Sequence, residues 1–157
     1  MPADVRMASY DDIDMLVRAR FDYFAAEKWE VSDEQYIAIK ANLIEYYPEH
    51  LNIDFFAAIA ETGGQTASVA FLAIAEMPAG LSFPTGKTGT VLNVLTYPEH
   101  RRKGYATAVM AALIGEARRQ NLSYIELSAS EAGKPLYQKL GFTEKPSCFT
   151  GMRLPLV

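Results

Sequence analysis

The stretch that most restricts this chain is residues 67–75, ASVAFLAIA. A strand with one face in water alternates apolar and polar residues. Here almost every position is apolar, so the segment reads as a central strand of a sheet. Its neighbours agree. Residues 55–60 form another apolar, strand-like run, and the sequence between the two, Glu61-Thr-Gly-Gly-Gln65, has the composition of a turn. Residues 90–96, TVLNVLT, supply a third strand after a loop at 77–87 that holds two prolines and two glycines.

Helical patterns lie on both sides of this block. Ser9 can cap a helix that runs to about Glu27, with Asp11, Asp12 and Asp14 near its positive end. Ile13, Leu16, Val17, Phe21 and Phe24 fall on one stripe of it. Ser32 with Gln35 three residues later has the spacing of a capping box. Tyr36, Ile39, Leu43 and Tyr46 follow at helical spacing, and Pro48 is expected to end the helix. A third helix spans 104–120, with Ala106, Val109, Met110, Leu113 and Ala117 on one face. A short one spans 132–140 and stops at Gly141. Short strands are expected at 5–7, 124–127 and 149–154. Strands before and after interleaved helices imply an α/β or α+β fold around one mixed sheet. With 157 residues, half of them hydrophobic, the chain reads as a single domain over 1–157.

Charge and cysteine narrow the possible functions. The net charge of −4 and pI of about 5.2 argue against a general nucleic-acid binder, whose affinity rests on basic charge. Cys148 is the only cysteine, so no intramolecular disulfide forms; it reads as a buried small apolar residue. The N-terminus carries charges where a signal peptide needs an apolar core, and the apolar stretches are too short or interrupted for a membrane span. A soluble, cytoplasmic domain without a membrane partner is expected.

Against this acidic background stands LTYPEHRRKGYATAVM, residues 95–110. Three basic residues sit at the seam between a buried strand and a helix. The first turn of a helix has N–H groups without intrahelical partners, and they carry partial positive charge. Gly104 lets a ligand approach the backbone because no Cβ stands in the way. Arg101, Arg102 and Lys103 add full charge at the rim, and a diphosphate suits such a cradle. A solvated basic turn has the same local composition. The loop matches neither the Walker pattern nor the three-glycine dinucleotide fingerprint.

Arg101-Arg-Lys-Gly104-Tyr-Ala106 resembles the acetyl-CoA-binding motif Arg/Gln-x-x-Gly-x-Gly/Ala of the GNAT superfamily of N-acetyltransferases, and Tyr97-Pro98-Glu99-His100 resembles its usual approach. Leu136–Phe142, LYQKLGF, is similar to the family's Leu-Tyr-x-x-x-Gly-Phe. The two motifs stand in the family's order, and the resemblance covers nearly the whole chain. It implies a mixed twisted sheet of about six or seven strands with about four helices. It also implies acetyl-CoA as acyl donor without a metal, and direct transfer to an amine of a small acceptor.

Carried over residue by residue, the resemblance assigns the pyrophosphate to the backbone of Arg101, Arg102, Lys103, Gly104, Tyr105 and Ala106, with Thr107 behind. It lays the pantetheine arm along Val94, Leu95 and Thr96. Tyr137 matches the tyrosine near the cofactor sulfur, where a phenol can donate a proton to the departing thiolate. Many relatives have asparagine where this chain has Ser130, which can bind the pantetheine or cap the short helix; Ser128 is a weaker candidate. The family's usual strand glutamate is missing, since residues 90–96 contain no carboxylate. A water held by Asn93 and assisted by Glu27 is the expected proton acceptor. Asp22, Glu30, Glu45 and His50 are further candidates, as is His100, expected to be exposed in its loop. The acceptor is expected over Tyr23, Phe24, Trp29, Tyr46 and Tyr47, rings suited to a small amine. A non-catalytic acyl-CoA sensor on the same fold is the alternative, and a homodimer is compatible with either.

Overall fold

The computed structural model describes residues 4–157; the first three residues of the domain expected over 1–157 lie outside it. β1 (Asp4–Met7) leads through a short 3-10 turn (Tyr10–Asp12) into α1 (Ile13–Ala26) and α2 (Asp33–His50). β2 (Phe55–Thr62), β3 (Gln65–Glu76) and β4 (Lys87–Thr96) follow, then a second 3-10 turn (Pro98–His100) and α3 (Tyr105–Arg119). β5 (Ile125–Glu126) and α4 (Lys134–Lys139) complete the regular structure. The strands lie in sequence order, antiparallel from β1 to β4, with β5 parallel to β4.

The apolar strands are buried on both faces, as their composition requires. Phe55, Ala57 and Ile59 of β2 and Val69 and Phe71 of β3 pack with Leu16, Ala19, Leu43 and Tyr47 of α1 and α2. The alternate residues Phe56, Ala58, Ala70 and Leu72 pack with Val109, Met110 and Leu113 of α3. Period two thus divides each strand between two helical layers.

β4 breaks that period. Phe71 pairs with Leu92 and Val69 with Leu95, so Asn93 and Val94 together stand opposite Ala70 alone. This is a β-bulge, and Asn93 takes the left-handed conformation (φ 58°) that asparagine tolerates better than most residues. The extra residue swaps faces: Val91 belongs to the α3 layer, while Leu95, four residues on, belongs to the α1–α2 layer.

Four expectations need correction. The sheet has five strands among the described residues rather than six or seven. Residues 149–154 have strand-like composition but join no ladder, and pairing rather than composition makes a strand. Pro48 lies inside α2 instead of ending it. In the last turn its missing N–H removes a single bond, and the helix closes with Leu51 N–H donating to the Tyr47 carbonyl. Cys148 is exposed, as is every residue of the segment 143–157 that carries it. At the other end Arg6 bridges Asp12 and Glu61, tying β1 to β2 and to the entry of α1. No helix among the described residues is long and apolar enough to cross a membrane.

Candidate active site

β4 and β5 pair only at Gly89↔Ile125 and Thr90↔Glu126. β4 continues to Thr96 while the chain beyond Glu126 turns away. The two strands therefore part, and the β4 edge from Val91 onward lacks a neighbour on that side among the described residues. The gap opens into a cleft of about 920 Å³, walled by β4, the start of α3, residues 126–130, α4 and the end of α1.

The N-terminus of α3 faces this cleft through Arg101, Arg102, Gly104, Tyr105, Ala106 and Thr107. Gly104 is the N-cap, with φ 84° and no side-chain cap. A Cβ built on it meets nothing within 4 Å, so the space above it is open. The first-turn N–H groups are thus left for a ligand. Part of the basic cluster braces the loop. Arg101 Nε donates to the Thr96 carbonyl (3.1 Å), and Lys103 Nζ donates to the Glu99 carbonyl (3.3 Å). Lys103, expected among the cofactor-binding residues, does not line the cleft. The ring of Tyr105 is buried in the α3 layer, leaving its backbone as the part that can meet a ligand.

Val94, Leu95 and Thr96 all line the cleft. The Thr96 hydroxyl lies 2.9 Å from that of Ser68, whose oxygen in turn donates to the Leu95 carbonyl (2.9 Å). Tyr97 Oη donates to Asp22 Oδ2 at 2.6 Å, which fastens the end of β4 to α1 and commits Asp22 there. Burial and this bond raise the Tyr97 phenol well above its ordinary range.

Asn93 reaches toward α1. Its Nδ2 donates to the Ala19 carbonyl (3.3 Å) and its Oδ1 accepts from Arg20 Nη1 (3.3 Å). Arg20 also lies over the ring of Phe24, 4.9 Å from its centroid. Both ends of the Asn93 amide are engaged in joining the bulge to α1. Asn93→Ala should therefore cost about 2–3 kcal/mol, from two lost bonds and a left-handed residue no longer supported. Chemical denaturation measures this directly. A loss below about 0.5 kcal/mol would show that the bulge holds without the amide.

Tyr137 sits on α4, half-buried against Phe142 in an edge-on contact (6.0 Å, 70°). Burial, followed by the fields of Tyr23 and Glu27, pushes its phenol up to about 12. Tyr23, Glu27 and Tyr137 line the same cleft. Ser130 Oγ accepts from Gly133 N–H (3.1 Å), so it caps the turn into α4 while still bordering the cleft, as Ser128 does. Gly133 packs closely in this turn: a Cβ there would come within 3.1 Å of the Tyr137 ring and 3.3 Å of Ser130 Oγ.

Other candidates fall outside. His50 stacks on Tyr46 (4.1 Å) and meets Asp54 through Nδ1 (2.7 Å), away from the cleft. Glu30, Glu45, Phe24, Tyr46 and Tyr47 do not line the cleft, leaving Tyr23 and Trp29 as its rings from the acceptor set. His100, by contrast, lines the cleft, and it is buried rather than exposed, because the turn Pro98–His100 tucks its ring edge-on to Tyr105 (6.0 Å). Arg20 is a cleft residue that the sequence reading passed over. Its signal was its place one turn before Tyr23 and two turns before Glu27 on one helical face. Among the described residues no three His, Cys, Asp or Glu side chains gather as a metal site.

This arrangement has known counterparts. The model of the acetyltransferase (GNAT) family matches residues 14–142. A predicted acetyltransferase from Clostridium acetobutylicum, solved with acetyl-CoA, is similar at 29% identity and TM-score 0.84, over 97% of this chain and 96% of that one. A GCN5-related N-acetyltransferase from Ralstonia eutropha shares the fold at 24% identity and TM-score 0.79, over 98% and 99%. Glucosamine-6-phosphate N-acetyltransferase from Arabidopsis thaliana shares it at 18% and 0.64, over 97% and 99%. No curated protein matches the chain.

Proposed function

The chain belongs to the acetyltransferase (GNAT) family, and we propose that it moves an acetyl group from acetyl-CoA to a primary amine of a small acceptor, by direct attack in a ternary complex. The observation that carries this reading is the parting of β4 from β5 directly beside the open N-terminus of α3. An extended pantetheine arm can pair with a free strand edge, and a diphosphate suits the N–H groups of a helix start with a bare glycine before it. The similar acetyltransferase solved with acetyl-CoA supports the same donor.

Backbone groups of Val94, Leu95 and Thr96 would hold the arm. Arg101, Arg102 and the amides from Gly104 to Thr107 would hold the diphosphate, with Ser130 bordering the arm. When bound, acetyl-CoA supplies an acetyl thioester. The acceptor ammonium suits the wall formed by Glu27 and the rings of Tyr23 and Trp29. It must lose a proton before attack. We assign that proton to a water with Glu27 behind it, and give Asn93 the positioning of the bulge because its amide is already engaged. Tyr137 Oη donates to the departing sulfur. Holding amine and thioester together supplies much of the rate.

Thiol release in the presence of a panel of primary amines tests the reading. Glu27→Gln should lower kcat/KM by about a hundredfold with acetyl-CoA affinity unchanged. Turnover equal to wild type would pass the proton to bulk water. Binding of acetyl-CoA with no turnover on any amine would favour a sensor, the reading that the missing carboxylate on β4 supports.

A further inference from the structure

Most charged side chains of the cleft already have a partner or a task. Lys145 Nζ donates to Glu126 Oε2 (3.1 Å), and Arg101 and Arg102 stand at the start of α3, where the diphosphate is assigned. The wall built by α1 is different. Arg20 and Glu27 both line the cleft, and neither forms an ion pair among the described residues. They lie seven residues apart on one helical face, about 10 Å along the axis, beyond the three- and four-residue spacings at which side chains pair. This wall therefore presents one positive and one negative charge as separate stations.

Arg20 is the more confined of the two. It is half-buried, with its guanidinium 4.9 Å from the centroid of the Phe24 ring and Nη1 donating to Asn93 Oδ1 at 3.3 Å. A guanidinium carries five N–H donors. The long bond to a neutral amide is the one hydrogen bond it makes among the described residues. Ring and amide hold the group in place without compensating its charge. A planar fork fixed in this way suits a carboxylate, which accepts two parallel N–H bonds and brings the opposite charge.

We propose that the acceptor is a free α-amino acid, its carboxylate held by Arg20 and its ammonium directed toward Glu27. This rests on the acetyl-transfer reading and names its substrate class. The place of Arg20 sets how far apart the two groups can be. Asn93, to which it is bonded, directly precedes Val94, where the donor arm is assigned, so an anion on Arg20 lies close to that arm. The attacking amine must then be a short distance from the anion, as it is in an α-amino acid. A simple amine leaves Arg20 uncompensated, and a peptide N-terminus offers it only a neutral carbonyl. In the transfer the N–C bond forms and the C–S bond breaks. Of the two protons that the nitrogen loses, one goes to the water before Glu27. The other replaces the proton that Tyr137 gives to sulfur. The product is an N-acetyl amino acid.

Thiol release with the standard L-amino acids, each beside its α-amide and the amine that lacks the carboxyl group, tests this. The best amino acid should exceed its amide by about a hundredfold in kcat/KM. In Arg20→Met, which keeps an apolar stem on Phe24, that ratio should collapse toward one, whatever the absolute rate. Arg20→Lys, which keeps the charge without the fork, should fall between the two. If Arg20 only braced the bulge, amino acid and amide would slow together and the ratio would hold, which overturns the proposal. A wild-type preference for amides or simple amines also overturns it, and the acetyl-transfer reading then still stands. If no amine turns over, calorimetry of the same amino acids with the CoA-loaded protein decides. Uptake that depends on Arg20 supports the carboxylate site while transfer itself fails. Uptake independent of Arg20, or none, overturns it.

Discussion

Gly104→Val should weaken acetyl-CoA binding about a hundredfold or more while the protein stays folded. Two independent effects act at this position. The residue has φ 84°, where a β-branched side chain costs about 1–2 kcal/mol or drives the loop into another shape. A Cβ there points into space that the protein itself leaves empty, with no protein atom within 4 Å, so a side chain grows into the space a ligand at the helix start would use. Loop strain alone weakens binding about tenfold if the loop relaxes out of its cradle, and obstruction adds at least as much again. The expected loss is about a hundredfold or more. Isothermal calorimetry with acetyl-CoA measures it, and the thermal transition checks the fold. A folded variant that binds as tightly as the parent would move the diphosphate away from α3.

The contrast between Gly104 and Asn93 shows which parts of the site could be read from sequence. The loop at residues 101–107 is local: strand, basic run, glycine and helix follow in chain order, and the chemistry of a helix start needs no distant partner. Asn93 owes its role to distant contacts. The bulge depends on register with Val69 and Phe71, and the amide partners lie on α1. In sequence Asn93 is only a polar residue within an apolar strand. The same distinction applies to the carboxylates. Asp22, Glu27, Glu30 and Glu45 look alike on the first two helices and their connection, and only folding brings Glu27 to the cleft while Tyr97 claims Asp22. The helices were legible because each carries a complete period, and the central strands because nearly every position in them is apolar. The last expected strand was not, since residues 149–154 have strand-like composition but join no ladder among the described residues.

Tyr137→Phe should lower kcat by about a hundredfold and leave acetyl-CoA affinity within about twofold. The ring keeps its place against Phe142, so packing is conserved and only the hydroxyl is lost. The direction of the pKa shift keeps the phenol protonated, able to offer a hydrogen bond to the departing sulfur. Burial, with Tyr23 and Glu27 nearby, pushes the phenol up to about 12, so it holds its proton throughout the working range. A phenol with a lowered pKa would instead have suited a base. The shift also has a consequence for stability. The folded chain keeps a proton that the unfolded chain releases from about pH 10 upward. The stabilisation linked to that proton is therefore complete below pH 10 and is lost as pH rises through about 12. Wild-type melting temperature should fall over this alkaline window more steeply than that of Tyr137→Phe, which has no phenol to titrate. The two readouts separate the roles of the ring. A fall in kcat together with a flattened alkaline slope fits a protonated, half-buried donor. An unchanged kcat with the same flattened slope would leave Tyr137 as packing and move the proton for the departing sulfur to solvent.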